Sequence, residues 1–80
     1  MGQMPSMRKV ESRSIESIGY DPPPQELYVR FLDSDPTYIY SAVEQTLFDE
    51  LMQAESKGAF INRRIKPNYT FRRQLPRAHR

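Results

Sequence analysis

Eighty residues with no cysteine and no tryptophan suffice for one small domain, without a disulfide staple or a thiolate metal site. A chain this short buries only about 60% of its unfolded surface, so its core must be compact and its stability margin thin. The net charge of +2 conceals an asymmetry: all ten acidic residues and only five of the twelve basic ones lie in residues 1–60, whereas residues 61–80 hold seven basic residues and no acid. A basic end on an acidic body points to an anionic partner, or to attraction between the two halves.

Residues 1–10 show no hydrophobic period, and residues 1–11 are expected to form a disordered N-terminal segment. Met1-Gly2 with Ser6 formally matches an N-myristoylation pattern, but no second membrane signal follows and no run of about 20 apolar residues exists. No membrane association is expected, and a cytoplasmic monomer is. The stretch from Ser14 to Tyr20 reads as a first strand, with Ile18 and Tyr20 on one face and Gly19 marking a bulge or a close backbone approach. Pro22, Pro23 and Pro24 remove three donors and make a stiff connection. Glu26–Leu32 is the clearest strand, because Leu27, Val29 and Phe31 alternate with Tyr28 and Arg30. Asp33-Ser34-Asp35-Pro36 is turn chemistry.

Thr37–Tyr40 is a third strand that hands over almost directly to a helix. Ser41 three residues before Glu44 is the capping-box pattern, so the helix is expected from about Ala42 to Glu55. Val43, Leu47 and Leu51, with Phe48 and Met52 beside them, make its apolar stripe. A second helix is expected from Ser56, as N-cap, to about Lys66, where Pro67 stops it. Phe60, Ile61 and Ile65 form its apolar side. Tyr69 is expected to dock on the body, and residues 72–80 to form a basic tail. The fold class that follows is α+β: an antiparallel sheet of about three strands with two helices on one face.

Taken together, Ser17-Ile18-Gly19-Tyr20-Asp21, then Leu27, Val29 and Phe31, then Tyr38 and Tyr40, then Leu51, Ala54, Ser56, Gly58, Phe60, Asn62 and Ile65 resemble the KTSC domain family. That family takes its name from a module at the C-terminus of some lysyl-tRNA synthetases and also occurs as small free-standing bacterial and phage proteins. The resemblance spans residues 12–71, and by it Tyr38, Tyr40, Ser56, Gly58 and Asn62 are motif positions, structural before functional. Two departures stand out: no proline follows Val43, and the turn at residues 33–36 lacks a glycine. The synthetase context implies RNA as a partner.

The residues themselves offer little to catalysis, and the chain is expected not to be an enzyme. The only histidine, His79, stands one residue from the end, far from any base or nucleophile it could serve. Asp33 and Asp35 match only the first two positions of a calcium loop. No metal or cofactor is expected.

Binding has better candidates. Arg63, Arg64 and Lys66, with Arg72 and Arg73 after them and Tyr69 and Phe71 interleaved, combine clustered cations with aromatic faces, as RNA binding requires. The competing reading is a protein-interaction domain that docks on an acidic partner or on itself. Ser56-Lys57-Gly58 could hold an anion through free backbone N–H groups, but ordinary capping is favoured. Tyr38 and Tyr40 either form an exposed stacking platform or face the helices; the shortage of apolar residues favours the core, leaving Tyr28, Arg30 and Ile39 as a mixed patch on the opposite face.

Overall fold

The computed structural model describes residues 7–75. The alternating segments of the first half form a continuous antiparallel meander: β1 (Arg8–Lys9), β2 (Ile15–Asp21), β3 (Glu26–Phe31), β4 (Thr37–Tyr40) and, after the helices, β5 (Phe71–Gln74), in the spatial order β1-β2-β3-β4-β5. The sheet therefore has five strands rather than three, and the two additions come from stretches that lacked a readable period. Arg8 and Lys9 pair with Ile18 and Ser17, and the next residue, Val10, donates to the Glu16 carbonyl (3.2 Å) and packs on the core. β5 completes the ladder of β4, whose outer backbone groups would otherwise be an open edge. The expected disorder of residues 1–6 and 76–80, the myristoylation pattern and His79 lie outside the described residues.

Cross-strand register sorts the side chains onto two faces. Ile18, Val29, Tyr38 and Arg73 form one row across the sheet, and Tyr20, Leu27, Tyr40 and Phe71 the next. These rows face the helical layer. Tyr40 is 1% exposed within a core of Ile15, Ile18, Leu27, Val29, Val43, Leu47, Leu51, Ile61 and Ile65, while Tyr38 is half-buried against it. The core placement favoured for the two tyrosines holds. The expected patch on the other face does not: Tyr28 and Ile39 are only 6% and 1% exposed, and Arg30 is partly covered. There Gly19, Tyr28, Ile39 and Arg72 form one row, and Arg72 was assigned to a tail. The bulge in β2 falls between Ile15 and Ser17, not at Gly19.

The first helix, α1 (Gln45–Gln53), starts three residues later than the capping box implied. Glu44 takes the N-cap position without a side-chain cap, because its carboxylate accepts instead from the Tyr69 hydroxyl (3.0 Å). The Ser41 N–H donates to the Thr70 carbonyl (3.0 Å), and the Val43 N–H to the Gln25 carbonyl (2.9 Å). Ala42 between them adopts a left-handed φ of 60°. The backbone N–H groups of Ser41 and Val43 are thus spent on tertiary partners, and the helix starts only at the Glu44 carbonyl, which accepts from Leu47 and Phe48. Within α1, Leu47 and Leu51 are buried and Phe48 and Met52 flank them, as the stripe predicted.

The second helix is also not uniform. Ser56 caps α2 (Lys57–Phe60) by accepting from the Ala59 N–H (3.3 Å). The chain then widens into a π-helical turn over Ile61–Ile65, closed by the Lys66 N–H on the Ile61 carbonyl (2.8 Å). The wider turn keeps Ile61 and Ile65 both fully buried and leaves Asn62, Arg63 and Arg64 outside. No helix among the described residues is long and apolar enough to cross a membrane.

Two substitutions test this packing. Leu51→Ala removes a fully buried side chain and should cost about 2–5 kcal/mol in urea unfolding. Ala42→Gly relieves the left-handed strain and should leave stability unchanged or raise it by up to about 1 kcal/mol.

Candidate nucleic-acid interface

The basic end of the chain is divided by the alternation of β5. Phe71 and Arg73 point to the helical side, opposite Tyr40 and Tyr38, whereas Arg72 and Gln74 point to the other side, opposite Ile39 and Thr37. Arg72 is committed within the fold. Its Nη1 and Nη2 donate to the two carboxylate oxygens of Glu26 at 2.9 and 3.3 Å, a fork-on-fork pair that crosses β4 to join β5 to β3. The Tyr28 hydroxyl donates to the same carboxylate (3.2 Å). The guanidinium holds the Glu26 carboxyl below its ordinary range, with the tyrosine adding in the same direction against the opposing cost of burial.

The remaining candidates are distributed over the helical side. Arg64 reaches Glu50 on α1 at 3.5 Å and lies over the Phe60 ring at 5.3 Å. Lys66 lies over the Phe31 ring at 5.3 Å. Arg63, Lys66 and Arg73 are exposed and have no ion pair among the described residues. Tyr69 packs on the core with its hydroxyl on Glu44, so it is docked rather than offered as a free ring. Burial raises the phenols of Tyr20, Tyr28, Tyr40 and Tyr69 above their ordinary value, so all four remain neutral donors at pH 7.

What the structure adds is an aromatic cleft of about 420 Å³ between β3, β4, β5 and the end of the π-helical turn, lined by Phe31, Ser34, Tyr38, Tyr40, Lys66 and Phe71. Tyr38 meets Phe31 edge-on (5.3 Å between centroids, 82°) and Phe71 at a tilt (5.3 Å, 42°), and Phe71 also approaches Tyr40 (5.6 Å). Phe71 remains 51% exposed. By sequence Phe31 belongs to the alternating face of a strand and Phe71 is an aromatic interleaved with the basic residues; only the fold brings the two to one cleft. Phe71-Arg72-Arg73-Gln74 holds one apolar residue in four, so no alternation marks it as a strand.

Two motif residues of the second helix, Ser56 and Gly58, make structural contacts. Ser56 is a cap, and α2 is too short to offer an anion site. A Cβ on Gly58 would stand 2.6 Å from the Ser14 Oγ, so glycine permits the close approach of α2 to the segment before β2. Asn62, exposed on the π-helical turn, lines a polar hollow with Ser14, Ser56 and Gly58.

With this architecture in view, residues 11–69 match the model of the KTSC domain. The chain belongs to the KTSC family. The KTSC domain described here is 46% identical over 63 residues to a protein of Tsukamurella paurometabola, covering 79% of this chain and 92% of that one. It is 38% identical over 60 residues to an uncharacterised protein of Stutzerimonas stutzeri, covering 75% and 83%. Its backbone is similar to the crystal structure of a KTSC domain protein from Yersinia pestis, with a TM-score of 0.81 and 35% identity over 85% of this chain and 94% of that one. β5 begins just beyond the family match, so Arg72 and Arg73 lie outside it.

The Arg72–Glu26 pair has a pH signature. Because the folded-state carboxyl is depressed, its contribution is present above the unfolded value near 4.5 and is lost as the pH falls through the folded value. Arg72→Gln should therefore lower the urea midpoint at pH 7, and the gap to the unmodified protein should narrow progressively below pH 4.5.

Proposed function

We propose that this KTSC domain is a non-catalytic binding module for RNA, working as a cytoplasmic monomer through the basic surface of the π-helical turn and β5. The observation that carries the reading is that Arg63, Lys66 and Arg73 stay exposed without an acidic partner among the described residues, while Arg64 and Arg72 are already tied to Glu50 and Glu26. Free cations gain by neutralising phosphates and releasing their counterions; paired ones must first give up a carboxylate. The aromatic rings beside Lys66 and Arg73 supply the second element that single-stranded RNA uses. A second reading, docking on an acidic protein partner, draws support from β5 being an edge strand with its four residues exposed.

Salt and substitution separate the two. The purified chain should bind a mixed single-stranded RNA pool at micromolar or tighter affinity near physiological salt, with a log–log salt slope of roughly −2 for three phosphate contacts. The triple variant Arg63→Gln, Lys66→Gln, Arg73→Gln should lose that binding while keeping the circular dichroism of the parent. Absence of RNA binding by the unmodified chain would favour the acidic protein partner.

A further inference from the structure

We infer that the cleft between Phe31, Tyr38 and Phe71 is a site for a single unpaired nucleobase, stacked on the exposed face of Phe71, with the flanking phosphates on Lys66 and Arg73. The inference rests on the RNA reading and gives it a location and a substrate class, single-stranded rather than duplex. Its volume of about 420 Å³ falls within the range of about 300–1,000 Å³ usual for small-ligand sites. Its wall is three rings, with Tyr38 touching both Phe31 and Phe71, and half of Phe71 is still open to solvent. An apolar ring left half-exposed beside two other aromatics gains from a flat partner, and base–aromatic stacking requires only a π-face.

The charge around the cleft selects the kind of flat partner. Lys66 holds its ammonium 5.3 Å from the Phe31 centroid, and Arg73 stands in register with Tyr38 on the same side of the sheet. Aromatic faces flanked by two unpaired cations suit a molecule that alternates planar rings with anions. A base within a duplex offers only its edges to a protein and cannot enter a cleft face-on. A second copy of the chain is a poor occupant. Facing residues in a ladder share one side of the sheet, so symmetric antiparallel pairing centred on the arginines of β5 sets either Arg72 or Arg73 opposite its own copy, and like charges directly opposite one another destabilise a ladder. The committed cations do not compete for this site: Arg72 is on the far face with Glu26, and Arg64 is beside Phe60 and Glu50.

The protein contains no tryptophan, so Phe71→Trp installs a single indole reporter in the cleft. Titrated with a mixed single-stranded RNA pool, Phe71→Trp should bind as well as the parent, with its emission quenched by the stacked base. A duplex of matched length should not quench it. Phe71→Leu keeps the apolar bulk without the π-face and should weaken single-strand binding about tenfold, with circular dichroism unchanged. If Phe71→Leu binds RNA like the parent while the Arg63, Lys66, Arg73 triple variant does not, the RNA reading stands and the base site falls. Equal quenching by duplex also overturns the base site. If the parent binds no RNA, both fall, and an acidic peptide that quenches the indole would reassign the cleft to a protein partner.

Discussion

The fold turns on the four residues between β4 and α1. The Val43 side chain is fully buried, its N–H is held by the Gln25 carbonyl at the end of the proline loop, and its carbonyl accepts the Tyr20 hydroxyl from β2. Ser41 before it is anchored to Thr70, and Glu44 after it to Tyr69. One short segment thereby ties β2, the β2–β3 connection, the start of α1 and the approach to β5. In a chain with so little core, backbone groups satisfied by distant partners take the place of additional buried surface. The left-handed φ of Ala42, and that of Gln25 (68°), are what bring these partners within reach. Tyr20 has a second duty, since its ring stacks on Phe48 at 4.7 Å and so sets α1 against β2.

The same economy governs charge. The acidic body and the basic end meet inside one domain, through Arg72 with Glu26 and Arg64 with Glu50. The first of these pairs also fastens β5 to the rest of the sheet, because it reaches across β4 to β3. Folding thus consumes part of the positive charge that composition alone would assign to a partner. Among the described residues of the basic end, Arg63, Lys66 and Arg73 keep an unpaired charge. Two of these three stand beside aromatic rings, Lys66 over Phe31 and Arg73 in register with Tyr38.

Some of this was legible in the residues. The alternation of Leu27, Val29 and Phe31 and of Tyr38 and Tyr40 identified the inward face, because a period of two allows each side chain only one side. The stripe of Leu47 and Leu51 identified the face of α1 for the analogous reason at a period of 3.6. The start of α1 was not legible: Ser41 and Glu44 satisfy the local capping pattern, and only the competing claims of Thr70 and Tyr69 overrule it. Ile39 and Tyr28 were misjudged because a sheet of three strands leaves their face open, whereas β5 brings Arg72 beside them. The cleft was legible only as scattered rings, since Phe31 and Phe71 are forty residues apart in the chain.

The sequence by itself determined what each short stretch prefers: three strands, an amphipathic helix, a capped second helix with a proline stop, and a basic end set against an acidic body. Those preferences are local, carried by side-chain period, by the fixed φ of proline and by charge. The tertiary structure alone decided which backbone groups in residues 41–44 would be taken by remote partners. It also decided that residues 8–9 and 71–74 would join the sheet, and which arginines would stay free. These outcomes depend on contacts between residues distant in sequence. Arg8–Lys9 and Phe71–Gln74, polar but for Phe71, have too little alternation to announce themselves until a neighbouring edge supplies their hydrogen bonds.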